Sequence, residues 1–199
     1  MKIVFIYGVG YHEDVSTYEI FLSNIKKQVK RKDVETSIHI WSHDWSLPVS
    51  SKSSFKAIKN FFSEVVLDFQ YAIKYAETMD IPEADLYIGH SAGSIIALSQ
   101  NKPCILMGSP VALVKEIVEH PGDAEVGVIE KVFKNCCKIL NIVNKYDIVS
   151  YEVMDNKVQN DVYSGPCYNP LTYLPITAHS DYFKSKIVVK KIAKFIEAL

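Results

Sequence analysis

Several things are scarce in this 199-residue chain: 8 glycines, 8 prolines and 4 cysteines. Neither an internal repeat nor a Pro- or Gly-rich linker divides it, so a single domain over residues 1–199 is expected. Cys104, Cys136, Cys137 and Cys167 fit neither metal-ligand spacing nor a secretory context, which points to reduced thiols in a cytoplasmic protein. The adjacent pair Cys136-Cys137, entering an apolar strand, reads as packing rather than redox chemistry. No run approaches the about eighteen apolar residues of a membrane span, and the apolar opening Met1–Gly8 is too short for a signal peptide. Charge of either sign is not in excess either. With 22 Lys and Arg against 23 Asp and Glu, the formal net charge is −1, so no global field attracts nucleic acid or an anionic membrane. A small, weakly charged partner is expected. The local cluster Lys26, Lys27, Lys30, Arg31 and Lys32 complements a helix C-terminus and reads as a solvated face.

What is present is hydrophobic: 48% of the chain, enough for one sizeable core. Lys2–Tyr7, Val34–Trp41, Asp85–Ile88, Cys104–Met107 and Lys138–Val143 read as strands. Between them lie helical patterns. Ser16-Thr17-Tyr18-Glu19 has the form of a capping box ahead of Phe21, Leu22, Ile25 and Val29. A second helix is expected from near Phe55 to Thr78, a third after Gly93, and a less regular one over Val111–Phe133. Residues 151–178 read as loop. The last helix, Tyr182–Leu199, places Phe183, Ile187, Val188, Ile192 and Phe195 near helical spacing. Strands alternating with helices predict an α/β domain with a mostly parallel central sheet of about six strands and helices on both faces.

The residues with chemical character cluster around Gly89-His90-Ser91-Ala92-Gly93, a G-x-S-x-G pattern set between a predicted strand and a predicted helix. A turn this tight strains the serine backbone and crowds its neighbours, so the flanking glycines remove clashing Cβ atoms and the hydroxyl is pushed outward. The Ala92 amide then lies at the helix start, where it can stabilise an oxyanion. A serine hydroxyl is a poor nucleophile near neutral pH, so it needs a neutral imidazole in reach and a third group orienting that imidazole. With these features the chain resembles the α/β-hydrolase superfamily, especially compact lipases and esterases, over nearly its full length. In that family the order is serine, acid, histidine.

The order assigns His179 as base, since His120 sits in the polar turn Glu119-His120-Pro121-Gly122. It assigns Asp147 as acid, because Asp147 follows an apolar strand whereas Asp155 and Asp161 are expected on polar loops. Asn144–Val149 resembles the family's acid loop and Ala178–Tyr182 its histidine loop. The resemblance implies that the first strand here corresponds to the family's third, the two preceding antiparallel strands being missing. The family's oxyanion loop commonly begins His-Gly where this chain has Tyr7-Gly8, and the Val9 amide is the expected second oxyanion donor. Gly8-Val9-Gly10 is not a dinucleotide fingerprint, because Glu13 stands where the third glycine should be. His39 and His43 lie on a strand and the following loop, which does not align them as metal ligands.

These residues imply acyl transfer to water without a cofactor, on a small-molecule acyl substrate with an ester as the first expectation. A thioesterase or amidase using the same residues, or a non-catalytic binding protein on the same fold, are the alternatives. Tyr11, His12, Trp45, Tyr151 and Tyr173 are expected near the carboxyl ends of the strands, where ligands bind in open α/β sheets.

Overall fold

The computed structural model describes residues 1–8, 15–41, 70–113, 138–147, 149–165, 178–179 and 181–199. The β-branched and aromatic run at the start forms β1 (Lys2–Ile6). Then come β2 (Glu35–His39), β3 (Leu86–His90), β4 (Cys104–Met107) and β5 (Ile139–Asn144), each within a run expected to be a strand or overlapping its end. A sixth strand, β6 (Val158–Tyr163), lies in the stretch that reads as loop. Its composition hides it: Gln159, Asn160 and Asp161 interrupt the apolar pattern, because β6 pairs on one side only and buries only Tyr163 fully. Asp161, expected on a polar loop, therefore sits on a strand, where it forms an ion pair with Lys191.

The sheet order is β2-β1-β3-β4-β5-β6, and all five ladders are parallel. A wholly parallel sheet must be covered on both faces, because its hydrogen bonds need apolar shielding and its crossovers need helices. Alternation sends Ile3, Phe5, Leu86 and Ile88 to one face, under α1 (Val15–Gln28) and the C-terminal helix. Val4, Ile6, Tyr87 and Leu106 go to the other, under α2 (described over residues 70–78) and α3 (Gly93–Ser99). The architecture is thus α/β with a six-stranded parallel sheet between helices, consistent with a minimal α/β-hydrolase fold.

Two helix ends differ from the sequence reading. Helix α1 begins at Val15, which puts Ser16 inside the first turn rather than at its cap. The last segment is split: Asp181–Phe183 makes a 3-10 turn, and α4 (Lys186–Glu197) starts anew with the Ser185 hydroxyl accepting from Val188 N. That break resets the helical phase, so Val189 and Ile196 are buried while Ile187 is 51% exposed. Phe183 stays in the core, its ring 5.9 Å from Phe5 and 5.0 Å from Tyr18, tying the 3-10 turn to β1 and α1. Only the ends of two further expected helices, 70–78 and 111–113, fall among the described residues. No helix of the described residues is long and apolar enough to cross a membrane.

The topology itself selects a location for chemistry. From β1 the chain crosses to β2 on one side and then returns to β3 on the other, so the winding reverses between β1 and β3. Crevices in open α/β sheets form at such reversals, beyond the carboxyl ends of the strands. Gly8 follows β1 there and Ser91 follows β3.

Candidate active site

The turn after β3 is two residues long, because the strand ends at His90 and α3 begins at Gly93. Ser91 has φ 53°, in the left-handed region that a residue with a Cβ rarely enters. Its backbone is held from both sides: Ser91 N donates to Met107 O at 2.9 Å, and Ser91 O accepts from Ser94 N at 3.0 Å and Ser94 Oγ at 2.5 Å. Ser109 Oγ pairs with Ser94 Oγ at 2.8 Å, which completes a buried hydroxyl brace. The rest is steric. A Cβ on Gly93 would fall 2.5 Å from Ile6 O and closer still to Tyr7 O, and one on Gly8 would fall 2.5 Å from Ser91 Cβ. Helix α3 thus starts directly against the end of β1. As the N-cap residue of α3, Ala92 has an amide with no intrahelical partner.

On the other side of the site, β5 ends at Asn144 and turns into Asp147. Asp147 Oδ2 accepts from His179 Nδ1 at 2.9 Å and from Tyr182 Oη at 3.0 Å, and Oδ1 accepts from Val149 N at 3.0 Å. The carboxylate is fully buried and the imidazole only 21% exposed. Burial is the largest influence on Asp147 and works against its charge. The charge of His179, together with hydrogen bonds from His179, Val149 and Tyr182, outweighs it and holds the carboxyl below its ordinary 3.8. An ionised carboxylate has no hydrogen to give, so Nδ1 of His179 donates, and whenever the ring is neutral Nε2 is the nitrogen without a hydrogen.

Tyr182 is oriented by Asn144, whose backbone N–H donates to the phenol oxygen at 3.0 Å and leaves the phenol hydrogen for Asp147. Burial, reinforced by the Asp147 charge, pushes the phenol well above 10, so it stays a donor. The Asn144 side chain completes the frame: Nδ2 donates to Ala178 O at 3.1 Å, and Oδ1 accepts from Tyr146 N and Gly165 N.

His90 joins the two halves. Strand alternation puts its ring on the face of Leu86 and Ile88, where it meets Phe183 at 4.7 Å and His179 at 4.8 Å between centroids. A carbonyl can only accept, so the 2.8 Å contact with His179 O is a donation from His90 Nε2–H. Burial, then the neighbouring His179 charge, drives His90 down to about 3, so it is neutral at any physiological pH.

Of the residues singled out in the sequence, Asp147 and His179 are hydrogen-bonded to each other. Ser91 stands at the same rim of the sheet: it bonds to Met107, and a Cβ on the next residue, Gly108, would lie 2.9 Å from His179 Cε1. No hydrogen bond joins Ser91 Oγ to the ring among the described residues. Tyr151 is 47% exposed and its carbonyl accepts from Asn141 Nδ2. Val9, Tyr11, His12, His43, Trp45, Tyr173 and three of the cysteines lie outside the described residues. A groove of about 670 Å³ between α1 and β2, lined in part by Leu22, Lys26, Ile38 and Ile40, contains none of these residues.

Sequence reasoning missed His90, Asn144, Tyr182 and the Ser94–Ser109 pair. One signal was available for the first two: a polar residue closing a mostly apolar, fully buried strand. Tyr182 gave none, since an aromatic near a helix start reads as core.

No family model and no curated protein matches the chain. Among solved structures, that of a candidate cell surface hydrolase from Lactobacillus plantarum WCFS1 superposes with a TM-score of 0.47 at 10% identity, covering 98% of this chain and 89% of that one.

Proposed function

We propose that the chain is a serine hydrolase that cleaves small or medium acyl esters through an acyl-enzyme on Ser91. The observation that supports this reading is the buried Asp147–His179 pair, whose Nδ1–H direction leaves Nε2 of the neutral imidazole without a hydrogen, together with the strained turn that holds Ser91. In the proposed reaction Ser91 Oγ attacks the ester carbonyl carbon while its proton passes to His179 Nε2. The negative charge gathering on the carbonyl oxygen is received by the amides of Ala92 and Val9. His179 then returns the proton to the departing alcohol oxygen, and a water molecule repeats both steps to free the acid and restore Ser91. Asp147 keeps the imidazole in the required tautomer and stabilises its charged form. No cofactor enters the reaction.

The test uses a fluorophosphonate probe and p-nitrophenyl esters of increasing acyl length. Wild-type protein is expected to be labelled and to hydrolyse the short and medium esters. Ser91→Ala is expected to lose labelling and to drop in kcat by roughly 10⁴-fold or more while retaining its fold. Labelling that survives in Ser91→Ala, or wild-type protein inert to both reagents, sinks the reading.

A further inference from the structure

His90 is buried, 5% exposed, on the central strand that ends beside Ser91, and nothing in the proposed reaction uses it. Its Nδ1 is buried with no hydrogen-bond partner among the described residues. A buried acceptor left unpaired destabilises a fold, so a phenylalanine would fill this aromatic pocket at lower cost. What a phenylalanine lacks is the other nitrogen. We infer that His90 is a positioning residue: through its Nε2–H bond to the His179 carbonyl and the packing of the two rings, it holds the imidazole of His179 in register with the Ser91 hydroxyl. The inference rests on the esterase reading for its catalytic consequence, and on geometry alone for its structural one.

The placement is specific. Residue 90 pairs with Met107 in the β3–β4 ladder, and Met107 O in turn accepts from Ser91 N, so the backbone beneath His90 is the same frame that fixes the nucleophile. The segment bearing His179 meets the sheet through Ala178 O on Asn144, the imidazole on Asp147, and His179 O on His90. The first two come from the β5 side. Among the described residues, only the His90 bond refers the imidazole to the strand that carries Ser91. Because the His90 ring is neutral, it supplies this bond without placing a second positive charge under a base that must become charged.

The experiment compares His90→Gln, His90→Asn and His90→Phe. Glutamine carries its amide nitrogen as many bonds from Cα as histidine carries Nε2, so it can still donate to His179 O. Asparagine stops at the position of Nδ1, and phenylalanine keeps the ring without the donor. Two readouts are taken: kcat and KM for p-nitrophenyl acetate, and the NMR resonance of the His179 Nδ1–H proton. Phe and Asn are expected to lower kcat roughly 10²-fold, the scale of a displacement of about 1 Å at a reacting group, with KM little changed. Both should shift or broaden the Nδ1–H signal, and Gln should restore both. Wild-type kcat and an unmoved resonance in a folded Phe variant overturn the inference. If Phe does not fold, equal losses for Gln and Asn overturn it instead. Should the wild-type protein hydrolyse no ester, the esterase reading fails, and the resonance in the same three variants still decides whether His90 positions His179.

Discussion

The two sides of the site are held by different physics. Around Ser91 backbone hydrogen bonds to Met107 and Ser94 are backed by shape: a left-handed serine, a helix starting against the carbonyls of Ile6 and Tyr7, and glycines where any Cβ would collide. Around Asp147 and His179 the frame is made of directed bonds, with Tyr182, Asn144 and Val149 each supplying a donor. A frame of shape tolerates no added atom but is indifferent to charge. A frame of hydrogen bonds keeps its volume under substitution but fails when one donor or acceptor is deleted.

The largest expected effect lies on the bonded side. Asp147→Asn keeps the shape but offers one acceptor oxygen where three donors converge, so the His179 ring is freed to take the wrong tautomer. We expect kcat for p-nitrophenyl acetate to fall by about 10⁴-fold. A loss under tenfold breaks the assignment of Asp147 as the orienting acid. On the steric side, Gly93→Ala should cost about 3 kcal/mol of stability in urea unfolding, because the new methyl meets backbone carbonyls that cannot rotate aside. If that variant unfolds at the wild-type midpoint, packing does not hold the turn.

The smallest effect is Tyr182→Phe, about 1–2 kcal/mol, from the Asn144 amide left unpaired and one donor lost to Asp147. Its sign with pH follows from the carboxylate. The folded Asp147 titrates below its unfolded value, so its ionised form contributes stability that is present above about pH 4 and is lost as pH falls through the depressed folded value. Removing the phenol donor moves the folded value upward, so acid unfolding of Tyr182→Phe should begin at higher pH than in the wild type. Coincident acid transitions would mean that the phenol does not stabilise the charge.

The same division explains what could be read in the sequence. Five strands, the two-sided helical cover and the strand–turn–helix around Ser91 were legible because periodicity and glycine placement are local properties. The meeting of Asp147 with His179 was legible through their order along the chain. The strand β6 was not, because an edge strand with one neighbour among the described residues needs no apolar alternation: Gln159 is exposed, and Asn160 is hydrogen-bonded to Val153 and Asn141. The partners of His90 and Tyr182 were hidden for another reason. Each residue is hydrogen-bonded to a partner 89 or 35 residues away, a relation that no local pattern encodes.

The left-handed backbone at Ser91 sets robustness against reactivity at one position. A glycine there would relax the turn by about 1 kcal/mol, the usual penalty of that conformation for a residue with a side chain, while deleting the only hydroxyl the turn presents. Under the proposed serine chemistry the sturdiest version of this fold would therefore be chemically silent, and a variant chosen only for heat tolerance should be checked first at residue 91.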